Sequence, residues 1–127
     1  MLFSTQGRIS RSTFWTWTLV LMAALAVLIA VLLVPILMME SAAEAKGEKL
    51  PVGTPHFIAL AVFCIGYIPL FWASVAIQVK RWHDRGKQGA WFFISFIPYI
   101  GGLWVLIECG CLRGNPHGNE YGPDPLA

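Results

Sequence analysis

The sequence predicts an all-α integral membrane bundle with three hydrophobic segments, the third broken at Pro98 and Gly101-Gly102, and two observations carry that prediction. Hydrophobic residues make up 57% of the 127 and mean hydropathy is +0.63, above the roughly 45–50% apolar share of an ordinary soluble domain. Charged residues, 13% of the chain, are confined to the stretches between long uncharged runs. A chain of this length has room for a single domain.

Residues 1–13 form a basic N-terminal segment carrying Arg8 and Arg11 and no acid. Residues 14–39 are an uncharged run of 26, longer than the roughly 20 residues that cross a bilayer as a helix. Its fourteen Leu, Ile, Val and Phe residues contribute roughly −4 to −8 kcal/mol toward insertion. Ala43-Glu44-Ala45 resembles a signal cleavage site, but a signal core spans about 7–15 residues and this run is far longer, so a retained span is expected. An outer loop, 40–56, leads to a second uncharged run, residues 57–79. A basic cytoplasmic loop, 80–89, a third apolar segment, 90–112, and a polar tail, 113–127, complete the chain.

Orientation follows from charge. Six of the nine Lys and Arg residues lie before the first span or in the loop 80–89, and two lie on the loop 40–56. The bias of Lys and Arg toward the cytoplasm predicts that the N-terminus and the loop 80–89 face inward. The third segment, 90–112, is too short for two full crossings at about 20 residues each. Either it crosses once as a kinked helix, which has the higher base rate and sends the tail outside, or it dips in and returns at Pro98. In the second case the carbonyl freed by proline must be satisfied by protein or water.

The stretch Lys80 to Trp91 holds the densest charge in the chain. The second helix is predicted to run past the membrane surface through Arg85 and to stop at Gly86, with Lys80, Arg81 and Arg85 complementing the helix dipole. Asp84 lies four residues after Lys80 and three after Arg81, within pairing reach of both on a helix. Trp82 and Trp91 flank the patch as interfacial tryptophans commonly do. Arg8, Arg11, Lys80, Arg81, Trp82, His83, Asp84, Arg85, Lys87 and Trp91 are therefore the candidate lipid- or partner-contact residues. Four basic side chains there are each worth about 1 kcal/mol toward anionic lipid.

Reactive chemistry is less well supported. His83 and Asp84 as a metal or acid/base pair lack the three or four ligands of a zinc site. Cys109 and Cys111, two apart, point to different sides of a helix and lack C-x-x-C spacing, which weakens a metal site with Glu108 and His117. Glu108 is expected near the far end of the third helix, within reach of water. Cys64, Cys109 and Cys111 read as unpaired thiols. Ala26 and Ala30, with Gly66 and Ala73, supply small surfaces for helix packing within the bundle or with a second copy. Tyr121 and Asp124 are the candidate residues for docking the tail, 113–127, which otherwise reads as a loop. No phosphate loop, dinucleotide fingerprint, nucleophile elbow or H-E-x-x-H motif is present.

Four groups of residues together resemble a bacterial inner-membrane family called domain of unknown function 805: Phe3 with Gly7-Arg8, Arg11 and Phe14-Trp15; Arg81, His83-Asp84, Gly86-Lys87 and Trp91; Ile97-Pro98 with Gly101; and Gly118-Asn119 with Tyr121-Gly122-Pro123-Asp124-Pro125. The resemblance covers nearly the whole chain. Trp82 stands where that family often has leucine, and Gln88-Gly89-Ala90 replaces a more usual run of small residues before paired tryptophans. The resemblance implies a small multi-pass protein of the cytoplasmic membrane and brings no catalytic residues. It also suggests that the N-terminus, the stretch 81–91 and the tail act together. Arg8, Arg11 and Arg81 would pair with Asp84, and with Asp124 only if the tail returns.

The expected function is a non-enzymatic interaction or envelope component whose basic and aromatic face contacts lipid or protein. Anionic lipid, another membrane protein or a second copy are the expected partners; no cofactor, metal, catalytic residue or nucleic acid is. An oligomeric transporter or channel using Glu108 and the break at Pro98 is the alternative, and a lipid-acting enzyme using His83 and Asp84 is a third reading.

Overall fold

The structure, a computed structural model, describes residues 2–49, 51 and 53–126. It is all-helical: helices α1 (Arg11–Ala45) and α2 (Thr54–Asp84) are followed by a 3-10 helix (Gly89–Phe96) and by α3 (Ile100–Val105), which runs on as a π-helix (Leu106–Cys111). No strand occurs among the described residues. With 35 and 31 residues, α1 and α2 contain the spans 14–39 and 57–79 with turns to spare. Their most apolar windows have mean hydropathies of 3.1 and 2.1 and are almost wholly unburied by protein. Helices apolar on all sides and uncovered need lipid as their solvent.

Each long helix has a chemical start or stop. Ser10 caps α1, its Oγ accepting the Thr13 N–H at 3.3 Å, which satisfies one of the donors orphaned at a helix start. At the other end Glu48 N–H reaches the Ala43 carbonyl and Gly47 N–H reaches that of Glu44, 3.0 and 2.9 Å, the paired bonds of a Schellman turn. Helix α2 closes in the same way: Lys87 N–H to Trp82 and Gly86 N–H to His83, both 2.9 Å, with Gly86 at φ +69°. A side chain there would suffer the left-handed penalty and would also meet the Asn115 side chain.

The chain divides into two units, residues 22–71 and residues 1–21 with 72–127. In the first, Gly66 lets α2 approach Leu28 of α1: a Cβ at that glycine would lie 3.1 Å from the Leu28 side chain. Ala26 and Ala30, by contrast, stay exposed. His56 Nε2 lies 3.2 Å from Glu40 Oε1. The second unit has a core of Ile9, Phe14, Ile77, Trp82 and Cys109, with Trp17, Ile94 and Val105 packed against it.

Here the structure departs from the single crossing favoured for the third segment. The 3-10 helix ends at Phe96, Tyr99 takes φ +64°, and α3 turns back so closely that a Cβ on Gly101 would collide with the Ile94 carbonyl. The break is internally satisfied, with Ile97 N–H on Ile94, Gly101 N–H on Ile97 and Ile100 N–H on Pro98 at 2.7–3.1 Å. Proline and the glycine contact together convert a run that could have been one helix into a hairpin. The tail consequently lies in the same unit as the N-terminus.

Candidate functional site: an arginine clasp

The end of α2 places Arg81 and Asp84 three residues apart on one face, and the two form a buried ion pair. Arg8 reaches the same carboxylate from the N-terminal segment, with Nε 3.0 Å and a terminal nitrogen 2.9 Å from Oδ1. The remaining Arg8 donors go to main-chain oxygens of the tail: Asn115 at 2.7 Å, His117 at 2.8 Å and Gly122 at 3.1 Å. A guanidinium has five N–H groups, and Arg8 places four hydrogen bonds from its three nitrogens within the protein. Arg81 donates to the carbonyls of Cys109 at 2.7 Å, Leu112 at 2.5 Å and Ile9 at 3.4 Å besides Asp84. One carboxylate and two arginines so gather the N-terminus, α2, the third segment and the tail.

The tail answers the electrostatics of the helix end. The last carbonyls of α2 lack intrahelical partners, and two receive donors from the tail: Asn115 N–H to Asp84 at 2.8 Å and Asn119 Nδ2 to His83 at 2.9 Å. Gly114 passes so close to the Asp84 carboxylate that a Cβ there would overlap it. Tyr121 stacks parallel on the His83 ring at 3.9 Å between centroids, while His83 Nδ1 lies 3.2 Å from the Gly7 carbonyl. Partial burial, then the neighbouring Glu120 carboxylate, holds the Tyr121 phenol above its ordinary range.

A second, half-buried cluster flanks the clasp. Glu108 accepts from Arg85 Nε at 3.1 Å and Lys87 Nζ at 2.9 Å. Lys87 Nζ sits 4.5 Å from the centroid of Trp91 and 5.4 Å from that of Trp82, within cation–π range. Trp15 Nε1 donates to the Gly110 carbonyl at 3.1 Å.

Several expected contact residues are therefore elsewhere. Lys80, Arg81, Trp82 and Asp84 are buried and Arg8 is 1% exposed at its side chain, so none offers a face to lipid or partner: desolvated charges must pair, and Arg8, Arg81 and Asp84 pair with each other and with carbonyls. Trp82 is a core residue, not an interfacial one. Arg11 and Trp91 are exposed, and Arg85, Lys87 and His83 are half-buried. Tyr121 lies on the His83 ring, whereas the Asp124 carboxylate accepts the nearby Leu126 N–H at 2.9 Å instead of meeting an arginine. Arg11 donates to the Cys111 carbonyl at 2.8 Å rather than to Asp84. Glu108, expected at the far end of a crossing, returns to the basic loop because the segment folds back. Cys109 is buried and Cys111 exposed, and no group of three His, Cys, Asp or Glu side chains with metal-site geometry occurs among the described residues.

The carbonyls of Asn115, His117 and Gly122 were beyond sequence reasoning, since any residue supplies a carbonyl. The one usable signal was stoichiometric: Arg8 and Arg81 share Asp84, and a buried guanidinium with half a carboxylate needs main-chain acceptors, which a glycine-rich tail can bring close.

The family described as "Protein of unknown function (DUF805)" matches residues 2–123. The uncharacterized protein YiiR of Escherichia coli K12 is 29% identical, over 97% of this chain and 86% of its own length. The inner membrane protein YhaI of the same organism is 28% identical over 94% of this chain and 83% of its own, and the inner membrane protein YhaH is 40% identical over 39% and 40%. No solved structure matches significantly.

Proposed function

The chain belongs to the DUF805 family, and from that premise we propose that it is a two-crossing inner-membrane protein, with N-terminus, loop 80–89 and tail in the cytoplasm, that works by contact and carries out no reaction. The carrying observation is the internal use of Arg8, whose buried guanidinium makes four hydrogen bonds and an ion pair inside the protein, to Asp84, Asn115, His117 and Gly122. A site that binds or turns over a ligand needs donors free to meet it; the clasp is a strut. The cationic side chains of this unit left at least partly exposed are Arg11, Arg85, Lys87 and Arg113, and Lys87 lies over the exposed Trp91. This remainder suits lipid headgroups or an acidic partner segment, at about 1 kcal/mol per basic residue toward anionic lipid.

The test is photo-crosslinking in living membranes from positions 11, 91 and 113, combined with one-sided reporters fused after the tail. Adducts to phospholipid or to one recurrent protein, with a cytoplasmic tail, are the expected result. An external tail would overturn the topology, and adducts from none of the three positions would overturn the contact role.

A further inference from the structure

The third apolar segment packs Ile94, Val105 and Cys109 against the core and turns its other large side chains outward. Phe93, Phe96, Ile100 and Leu103 are 58–68% exposed and Tyr99 at the turn is 99% exposed, a contiguous apolar ridge of the kind soluble surfaces rarely leave uncovered. Three observations say what covers it. The first is length. The 3-10 limb has eight residues and spans about 16 Å at 2.0 Å per residue. The returning limb, Ile100–Cys111, spans about 18 Å at 1.5 Å per residue. Each limb matches one leaflet, half of the roughly 30 Å hydrocarbon core, and neither can traverse both.

The second is direction. Gln78 Nε2 donates to Ser95 Oγ at 3.0 Å, and Gln78 precedes Asp84 by six residues, or about 9 Å along α2 back toward its apolar part. The first limb thus packs on the last turns of α2, Gly89 against Val79 and Ser95 against Gln78, and its polar side chain at that level is satisfied by α2, as burial in hydrocarbon demands. The third is the base. Glu108, the one acid of the segment, is neutralised by Arg85 and Lys87, and Lys87 lies over Trp91, a tryptophan–lysine pairing suited to headgroup level.

We infer that residues 89–111 form a hairpin inserted into a single leaflet, the one on the side of the clasp, with lipid acyl chains covering its outer ridge. This rests on the topology proposed above. The hairpin adds area to one leaflet and none to the other, so the protein acts as a wedge on the cytoplasmic side.

Full-length protein with Cys64→Ser and Cys111→Ser, reconstituted in phosphatidylethanolamine–phosphatidylglycerol vesicles, would carry a nitroxide at Phe93→Cys, Phe96→Cys, Tyr99→Cys or Leu103→Cys, all exposed positions. Collision with oxygen and with a water-soluble nickel chelate is then measured. The wedge requires oxygen access several-fold above nickel access at all four, with the ratio peaking at Tyr99. Nickel access at Phe93 and Leu103 would place the ridge in water, and exclusion of both reagents would mean a protein covers it; either overturns the inference. Topology is read separately from maleimide labelling of Ala90→Cys and Arg113→Cys: modification from opposite sides would refute the topology itself, whereas modification from one side with high nickel access would refute the wedge alone.

Discussion

The two units differ in what holds them. Residues 22–71 are mostly apolar helix whose large side chains mostly face outward, with a side-chain polar link between the helices from His56 to Glu40. Residues 1–21 with 72–127 bury the side chains of two arginines, a lysine, an aspartate and a tryptophan, and the arginines are held by Asp84 and by main-chain acceptors. The first can be formed by backbone hydrogen bonding and a hydrocarbon solvent, and many side chains would serve. The second depends on individual atoms, because a buried charge is tolerated only while its partners remain. Substitutions should separate the two.

The largest effect is expected at Asp84. Asp84→Ala removes the counter-charge of two buried guanidiniums and should destabilise the protein by about 3–5 kcal/mol, read as a lowered thermal midpoint in detergent and reduced accumulation in the membrane. Asp84→Asn should cost nearly as much, since it keeps the shape and loses the charge. The helicity of residues 22–71, followed by hydrogen exchange, should persist in both. Equal loss of protection in the two units would break the contrast.

Trp82 comes next and separates packing from polarity. The ring is fully buried, and its Nε1 has no hydrogen-bond partner among the described residues. Trp82→Ala should cost about 3–5 kcal/mol by leaving a cavity. Trp82→Phe removes an unsatisfied donor worth about 1–3 kcal/mol along with part of the ring, so the two changes oppose and stability should shift by about 1 kcal/mol or less, measured by the same melts. A loss as large as that of alanine would mean the indole N–H is satisfied after all.

Gly114→Ala should follow, at about 1–3 kcal/mol, because its methyl group meets the Asp84 carboxylate and must push the tail outward. The signature is specific: limited proteolysis of the tail should accelerate more than global unfolding does. Combined with Asp84→Ala, the glycine substitution should cost much less than alone, since the atom it strikes is gone; additive costs would show that the close approach is not the cause.

How much of this could be read in advance differs between the units for the same reason. The spans 14–39 and 57–79 were plain because hydrophobicity acts by amount, and the end of α2 at Gly86 and the Arg81–Asp84 pair were plain because they are local. Burial of Trp82 against exposure of Trp91 was not legible, since both tryptophans sit beside the same charges and only the packing of Phe14, Ile77 and Cys109 around one distinguishes them. The return of the third segment was equally hidden. Pro98 marked a break, but the direction after it is set by the contact of Gly101 with Ile94 and by carbonyls at Cys109 and Leu112 that Arg81 takes up, none of which has a sequence signature.

The smallest effect should come from Glu40 and His56. Their side chains are 46% and 25% exposed and 3.2 Å apart, and a pair so open to solvent is worth about 0–1 kcal/mol. Glu40→Gln or His56→Ala should leave the thermal midpoint nearly unchanged, and the double variant should match the sum of the singles. A coupling above about 1 kcal/mol in that cycle would mean that the hairpin of residues 22–71 also relies on a specific polar contact. The difference between the units would then be one of degree: lipid would supply the solvent for both, and particular side chains would set the pairing of helices in each.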